Sequence, residues 1–218
     1  MKHTEPSGET YFYLAPSGVQ KERIECEDLF VLKQTTDPPS EELTNLTQQF
    51  SIPLQLVASP PAHKKFNASQ CTPLFFAAYE QCNAQAVIHT HSQAAVLVTL
   101  LHKDEFVITH QEMIKGIRVG STKQNLQYYD RLVVPIIENT PHECDLTTLM
   151  KKALEKYPST NAVLVRRHGV YVWGETWQKA KTMCECYDYL FEIAIEMHKL
   201  GIDYSKIPEE SPYKHLVK

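Results

Sequence analysis

Apolar residues in this chain come in short runs that alternate with stretches of helical periodicity. Tyr11 to Leu14 reads as a strand, followed by Pro16-Ser17-Gly18, a turn whose small residues let backbone N–H groups face a ligand. Residues 24–32, IECEDLFVL, predict a second short strand. From about Lys33 to Lys65 the period is lost among Pro38-Pro39, Pro53 and Pro60-Pro61, which predicts an irregular excursion, 33–65. Thr72-Pro73 has the cap-then-proline order of a helix start, and Leu74, Phe75, Ala78 and Cys82 continue a helix near 73–82.

Ala86-Val87-Ile88 is a buried-type strand that runs into His89-Thr90-His91, and Ser92 is placed to cap the apolar helix behind it. Strands are also predicted at Phe106–Ile108, Leu132–Ile137, Ala162–Val165 and in VYVWG. A helix capped by Asp145 carries Leu146, Leu149, Met150, Ala153 and Leu154 on one face. A longer helix begins at Thr176 and is stopped by Gly201. This alternation argues for a single domain, 1–218, of the α/β layered class.

Composition narrows the function classes. The 218 residues are 43% hydrophobic, enough for one sizeable core. No apolar run approaches the roughly 20 residues of a membrane span, and MKHTEPSGET lacks the order of a signal peptide, so a soluble cytoplasmic protein is expected. The net charge of −4 comes without a basic stripe, which argues against nucleic acid and leaves room for a small anionic substrate. Six cysteines without a CxxC pair are expected to stay reduced.

Residues two apart on a strand share a face, so His89 and His91 can direct both imidazoles at one ion, and zinc is the natural guest. His168, followed by Gly169 at another strand end, would complete the three-ligand set that leaves a catalytic zinc one open position. With ten histidines in 218 residues, about half an HxH pair is expected by chance; what singles these out is their position where strands end. His110 also follows an apolar segment and is an alternative ligand, whereas His3, His63, His102, His142, His198 and His215 read as surface residues. A metal beside a carbonyl favours loss of a neighbouring C–H proton, which some group must take and return. Glu112, a polar residue between apolar segments where partial burial would tune a carboxylate, is the candidate.

The segments AVIHTHSQAAV, THQEMIKGI, VVPIIENT and VLVRRHGVYVWGETWQKAKTMCECYDYLF together resemble the methylthioribulose 1-phosphate dehydratases of the class II aldolase/adducin superfamily, in their animal form. The likeness spans about residues 11–32 and 66–203. It implies a three-layer α/β/α sandwich around a central mixed sheet, and a homotetramer with active sites between subunits. It further implies one zinc ion per subunit on His89, His91 and His168, with Glu112 as catalytic acid/base. The implied activity is removal of water from 5-methylthioribulose 1-phosphate in methionine salvage. Cys71 falls where related aldolases carry a catalytic glutamate and is implied as a substrate contact, which disfavours aldol chemistry. Ser17, Gly18, Ser69 and Gln70 match places where the superfamily holds phosphate.

Animal relatives implied by the resemblance also associate with an apoptosome component, so a binding protein is one alternative. A class II aldolase or epimerase acting on another sugar phosphate is the other. The family normally opens with a helix and a Gly-rich segment of the form GTGGGIS. This chain starts after it and has only seven glycines, so either the sequence is an incomplete product or phosphate is bound differently, with the loss of several charge-assisted backbone donors.

Overall fold

The computed structural model describes residues 1–36, 52–213 and 215–217. Two sheets form. The first is antiparallel, in the order β1 (Lys2–Thr4), β2 (Thr10–Leu14), β3 (Phe30–Gln34) and β4 (Leu54–Ala58). Alternate residues Phe12, Leu14, Leu32 and Leu54 turn inward, as a sheet with one buried face requires.

Several features differ from expectation here. Strand β1 and the separation of this four-stranded sheet from the central mixed one were not foreseen. Within 24–32 only Phe30 onward is strand, because reciprocal bonds between Glu25 and Asp28 fold the polar run Cys26–Asp28 into a 3-10 turn. The excursion at 33–65 is ordered at both ends, where β3 continues to Gln34 and pairs with β4. Its middle, 37–51, lies outside the described residues.

The second sheet is mixed. It comprises β5 (Ala86–Thr90), β6 (Glu105–Ile108), β7 (Leu132–Ile137), β8 (Ala162–Val165) and β9 (Gly169–Gly174), in the order β5-β9-β8-β7-β6. Only β7 and β8 pair in parallel. Helices α1 (Thr72–Gln81) and α3 (Thr147–Lys156) cover one face, and α2 (Gln93–Leu101) and α4 (Trp177–Lys199) the other. The period-two rule distributes the core between these layers. Val163, Val165, Tyr171 and Trp173 pack with α1, α3 and the first sheet, whereas Ala162, Leu164, Val170 and Val172 pack with α2 and α4. Phe12 couples the two sheets through α1, its ring 4.7 Å from that of Phe76. Each such fully buried side chain contributes about 1.5–3 kcal/mol.

Strand direction decides which loops meet. β5, β7 and β8 end on the edge of the sheet where β9 begins, so the segments after Thr90, Ile137 and Val165 gather there. β6 runs antiparallel to β7 and delivers Thr109 to Glu112 to the opposite edge.

The helix ends mostly follow the predicted chemistry. Ser92 accepts from the Ala95 N–H, Thr176 accepts from Lys179, and Gly201 ends α4 at φ +73°. Asp145 is not a cap: Glu143–Leu146 is a 3-10 turn that leads into α3 without a capping side chain. His102 is not a surface residue either, since it is partly buried and its Nε2 lies 2.7 Å from the Tyr204 hydroxyl. All six cysteines are free, and no described helix is long and apolar enough to cross a membrane.

Loss of the α4 cap should be measurable. Thr176→Ala is expected to cost about 1 kcal/mol, seen as a lower urea midpoint at unchanged slope.

Candidate metal centre

At the gathered edge, His89 closes β5, His91 follows it, and His168 sits in the tight turn between β8 and β9. His91 Nε2 lies 2.9 Å from His89 Nε2 and 3.0 Å from His168 Nε2. Glu143, from the loop after β7, places Oε1 3.3 Å from His168 Nε2. One ligand atom from each of these four residues lies within 4.8 Å of every other.

The surroundings fix which nitrogens face inward. His89 Nδ1 is 3.1 Å from the Val170 carbonyl, which can only accept, so Nδ1 carries the proton and Nε2 presents its lone pair. The His89 ring is stacked on buried Tyr171, with centroids 4.0 Å apart. His168 Nδ1 is likewise 3.0 Å from Asn139 Oδ1. Hydrogen bonds on the outer nitrogens are how metal-bound imidazoles are held. Burial pushes the His89 imidazole down to about 4 and, with the neighbouring His91, lowers His168. These rings are therefore neutral near pH 7. Donors of one tetrahedral ion stand about 3.3 Å apart for bonds near 2.0–2.1 Å, close to the spacing of these nitrogens. The cluster fits a divalent cation. His91 is the exposed member and marks the side open to solvent.

The turn that carries His168 is anchored by Arg166. Its guanidinium pairs with Glu138 at 2.6 Å, donates to the His102 carbonyl at 2.9 Å, and also reaches the carbonyls of Thr99 and Lys103 at the end of α2. Arg167 adopts φ +57°, with its N–H on Thr99 Oγ1. At Gly169 an added Cβ would stand 2.2 Å from the Thr90 carbonyl oxygen and 3.2 Å from His91 Cα. Only glycine allows β9 so close to the histidine pair.

Other candidates are distributed unevenly. Cys71, at the start of α1, lies 2.7 Å from Glu143 Oε2, and burial together with that carboxylate pushes its thiol up to about 11. The Cys71 N–H bonds Ser69 Oγ at 3.2 Å. Ser17 donates its N–H to the Asn67 carbonyl at 2.8 Å, which brings the Ser17-Gly18 turn beside the Asn67-to-Gln70 segment. Glu112 is not partly buried: its side chain is 75% exposed, pairs with Lys115 at 2.6 Å, and lies outside the cluster. His110 is no alternative ligand, because its Nε2 is 2.7 Å from Ser211 Oγ at the other edge of the sheet. Glu143 and Asn139 escaped sequence reading. Each follows β7 as one polar residue among several, and only strand order brings them to the histidines.

A three-layer fold of this kind, with a histidine cluster where its strands end, defines a protein of the class II aldolase type. The solved L-fuculose 1-phosphate aldolase matches 96% of this chain and 79% of its own with a TM-score of 0.63 at 15% identity, a likeness of fold alone. A sugar-phosphate aldolase from Thermotoga maritima matches at 0.56 and 16% identity over 94% of this chain and 78% of its own. The family model described as Class II Aldolase and Adducin N-terminal domain covers residues 3–195. Sequence kinship is narrower. The methylthioribulose-1-phosphate dehydratases of Osmerus mordax and Gallus gallus are each 59% identical to this chain, over 91% and 90% of it and 75% and 74% of their own lengths. That of Mus musculus is 57% identical over 90% of this chain and 74% of its own. The chain belongs to the methylthioribulose-1-phosphate dehydratase family within the class II aldolase/adducin superfamily.

Two outcomes follow from the site. Gly169→Ala should force β9 away from Thr90 and weaken divalent-metal binding about tenfold or more, measured by metal titration alongside far-UV circular dichroism. In the metal-free protein, His89 takes up a proton near its ordinary value of 6.5 when unfolded and near 4 when folded. The unfolded state therefore binds more protons in that window, so stability falls as pH drops from about 6.5 to about 4 and levels off above it. Denaturant titrations across pH should show this slope reduced in His89→Gln.

Proposed function

We propose that this protein removes water from 5-methylthioribulose 1-phosphate to give 2,3-diketo-5-methylthiopentyl 1-phosphate, as a zinc-dependent hydro-lyase of cytoplasmic methionine salvage. The observation that carries the reading is the convergence of three imidazole nitrogens in a chain 59% identical to dehydratases of that name. His89, His91 and His168 would hold the ion, and zinc suits three nitrogen donors with an open side. Bound there, zinc acts as a Lewis acid on substrate oxygens and makes the adjacent C–H more acidic.

The remaining work is proton transfer and positioning. The C3 proton must be taken up, and the C4 hydroxyl must gain a proton to leave as water. Glu112 is assigned this exchange. Sheet polarity puts it at the edge away from its own histidines, so it serves the site of a neighbouring subunit in a homotetramer. The Ser17-Gly18 turn, Ser69 and Gln70 are assigned to the phosphate, which their adjacency through the Ser17–Asn67 bridge supports. Cys71, kept as a neutral thiol, lines the substrate side and supplies no carboxylate for aldol cleavage.

Turnover of the methylthioribulose phosphate, with product identified by mass, tests the reaction; cleavage into two carbon fragments would sink it. Glu112→Gln should lower kcat by about a thousandfold with metal content intact. Mixing Glu112→Gln with His89→Ala subunits should restore roughly a quarter of wild-type activity. No recovery on mixing would show that Glu112 does not act across an interface.

A further inference from the structure

Glu143 approaches the cluster from a side that separates two roles. A carboxylate that supports a metal-bound histidine sits on the ring nitrogen facing away from the ion. On His168 that outer place, Nδ1, is taken by Asn139 Oδ1 at 3.0 Å. Glu143 Oε1 instead faces Nε2, 3.3 Å away, the nitrogen that also stands 3.0 Å from His91 Nε2. This spacing is the one two donors of a single tetrahedral ion keep, about 3.3 Å. We propose that Glu143 is a fourth ligand to the metal held by His89, His91 and His168, displaceable by substrate, and that the Cys71 thiol positions it. The proposal rests on the reading of the three histidines as metal ligands.

Three further observations support it. The Glu143 side chain is only 23% exposed, and no lysine or arginine pairs with it among the described residues, so a cation at the imidazoles is what would balance its charge. Its second oxygen is occupied by Cys71 Sγ at 2.7 Å, which leaves Oε1 as a single-oxygen donor. Cys71 is itself tied through its N–H to Ser69, in the segment beside the Ser17-Gly18 turn. Substrate seated there would press on the residue that holds the carboxylate, coupling binding to release of the fourth position.

The test uses Co2+ on the metal-free full chain, with affinity measured by chelator competition and coordination read from the visible ligand-field spectrum. Wild type should bind one Co2+ per chain. Glu143→Gln should bind it at least about tenfold more weakly, with an altered spectrum as water replaces the carboxylate oxygen. Cys71→Ser, which keeps a donor, should retain the wild-type spectrum. If Glu143→Gln does not fold, Glu143→Ala with added acetate serves instead, and acetate should restore the wild-type bands. Wild-type affinity and spectrum in Glu143→Gln would overturn the proposal while leaving the three-histidine site standing. Equal Co2+ binding by wild type and His89→Ala would overturn both.

Discussion

Three imidazoles brought together at one sheet edge must be held in place, and much of this sheet's detail serves that purpose. The outer nitrogens of His89 and His168 are tied to Val170 and Asn139, and the His89 ring lies flat on Tyr171. The register that pairs Thr90 with Val170 puts Gly169 against the Thr90 carbonyl, where no side chain fits. All of these contacts except Asn139, which follows β7, come from β9, so the β5–β9 ladder is the part of the fold the site depends on most. Tyr171, beneath the His89 ring, and Trp173 are both buried in the core on that side of the sheet.

Sheet polarity sets the second constraint. Loops after β5, β7 and β8 meet at one edge, and the loop after β6 leaves at the other. Within one chain the carboxylate at the histidines is Glu143, while Glu112 stands exposed with Lys115. The two acids thus stand at opposite edges of the sheet, Glu143 beside the histidines and Glu112 exposed to solvent. The Ser17-Gly18 turn that follows β2 bridges to Asn67, in the segment that leads through Ser69 to Cys71 at the start of α1.

The two kinds of likeness carry different information. Structural similarity to aldolases at 15–16% identity establishes the layered fold and says nothing of substrate. Identity of 57–59% over nine-tenths of the chain establishes kinship with dehydratases. Between them lies local chemistry, where a buried thiol at Cys71 faces a carboxylate arriving from a different loop.

By itself the sequence determined the local elements. Ser92 and Thr176 mark helix starts because a short hydroxyl satisfies free N–H groups, and Gly201 marks a stop because it alone tolerates positive φ at no cost. The HTH pair at a strand end and the RRHG turn were legible for the same reason: spacing of two puts side chains on one face, and glycine permits close approach. Asp145 and residues 24–28 were misread, since an acidic residue before an apolar run caps a helix or closes a 3-10 turn equally well. The sequence named His168 as the third histidine with His110 as an alternative, and tertiary structure alone separated the two. It also decided that Glu143 and Asn139 belong to the site and that Glu112 lies at the far edge. Those outcomes depend on strand order and direction, which arise from pairing between segments tens of residues apart and leave no periodic trace in the chain.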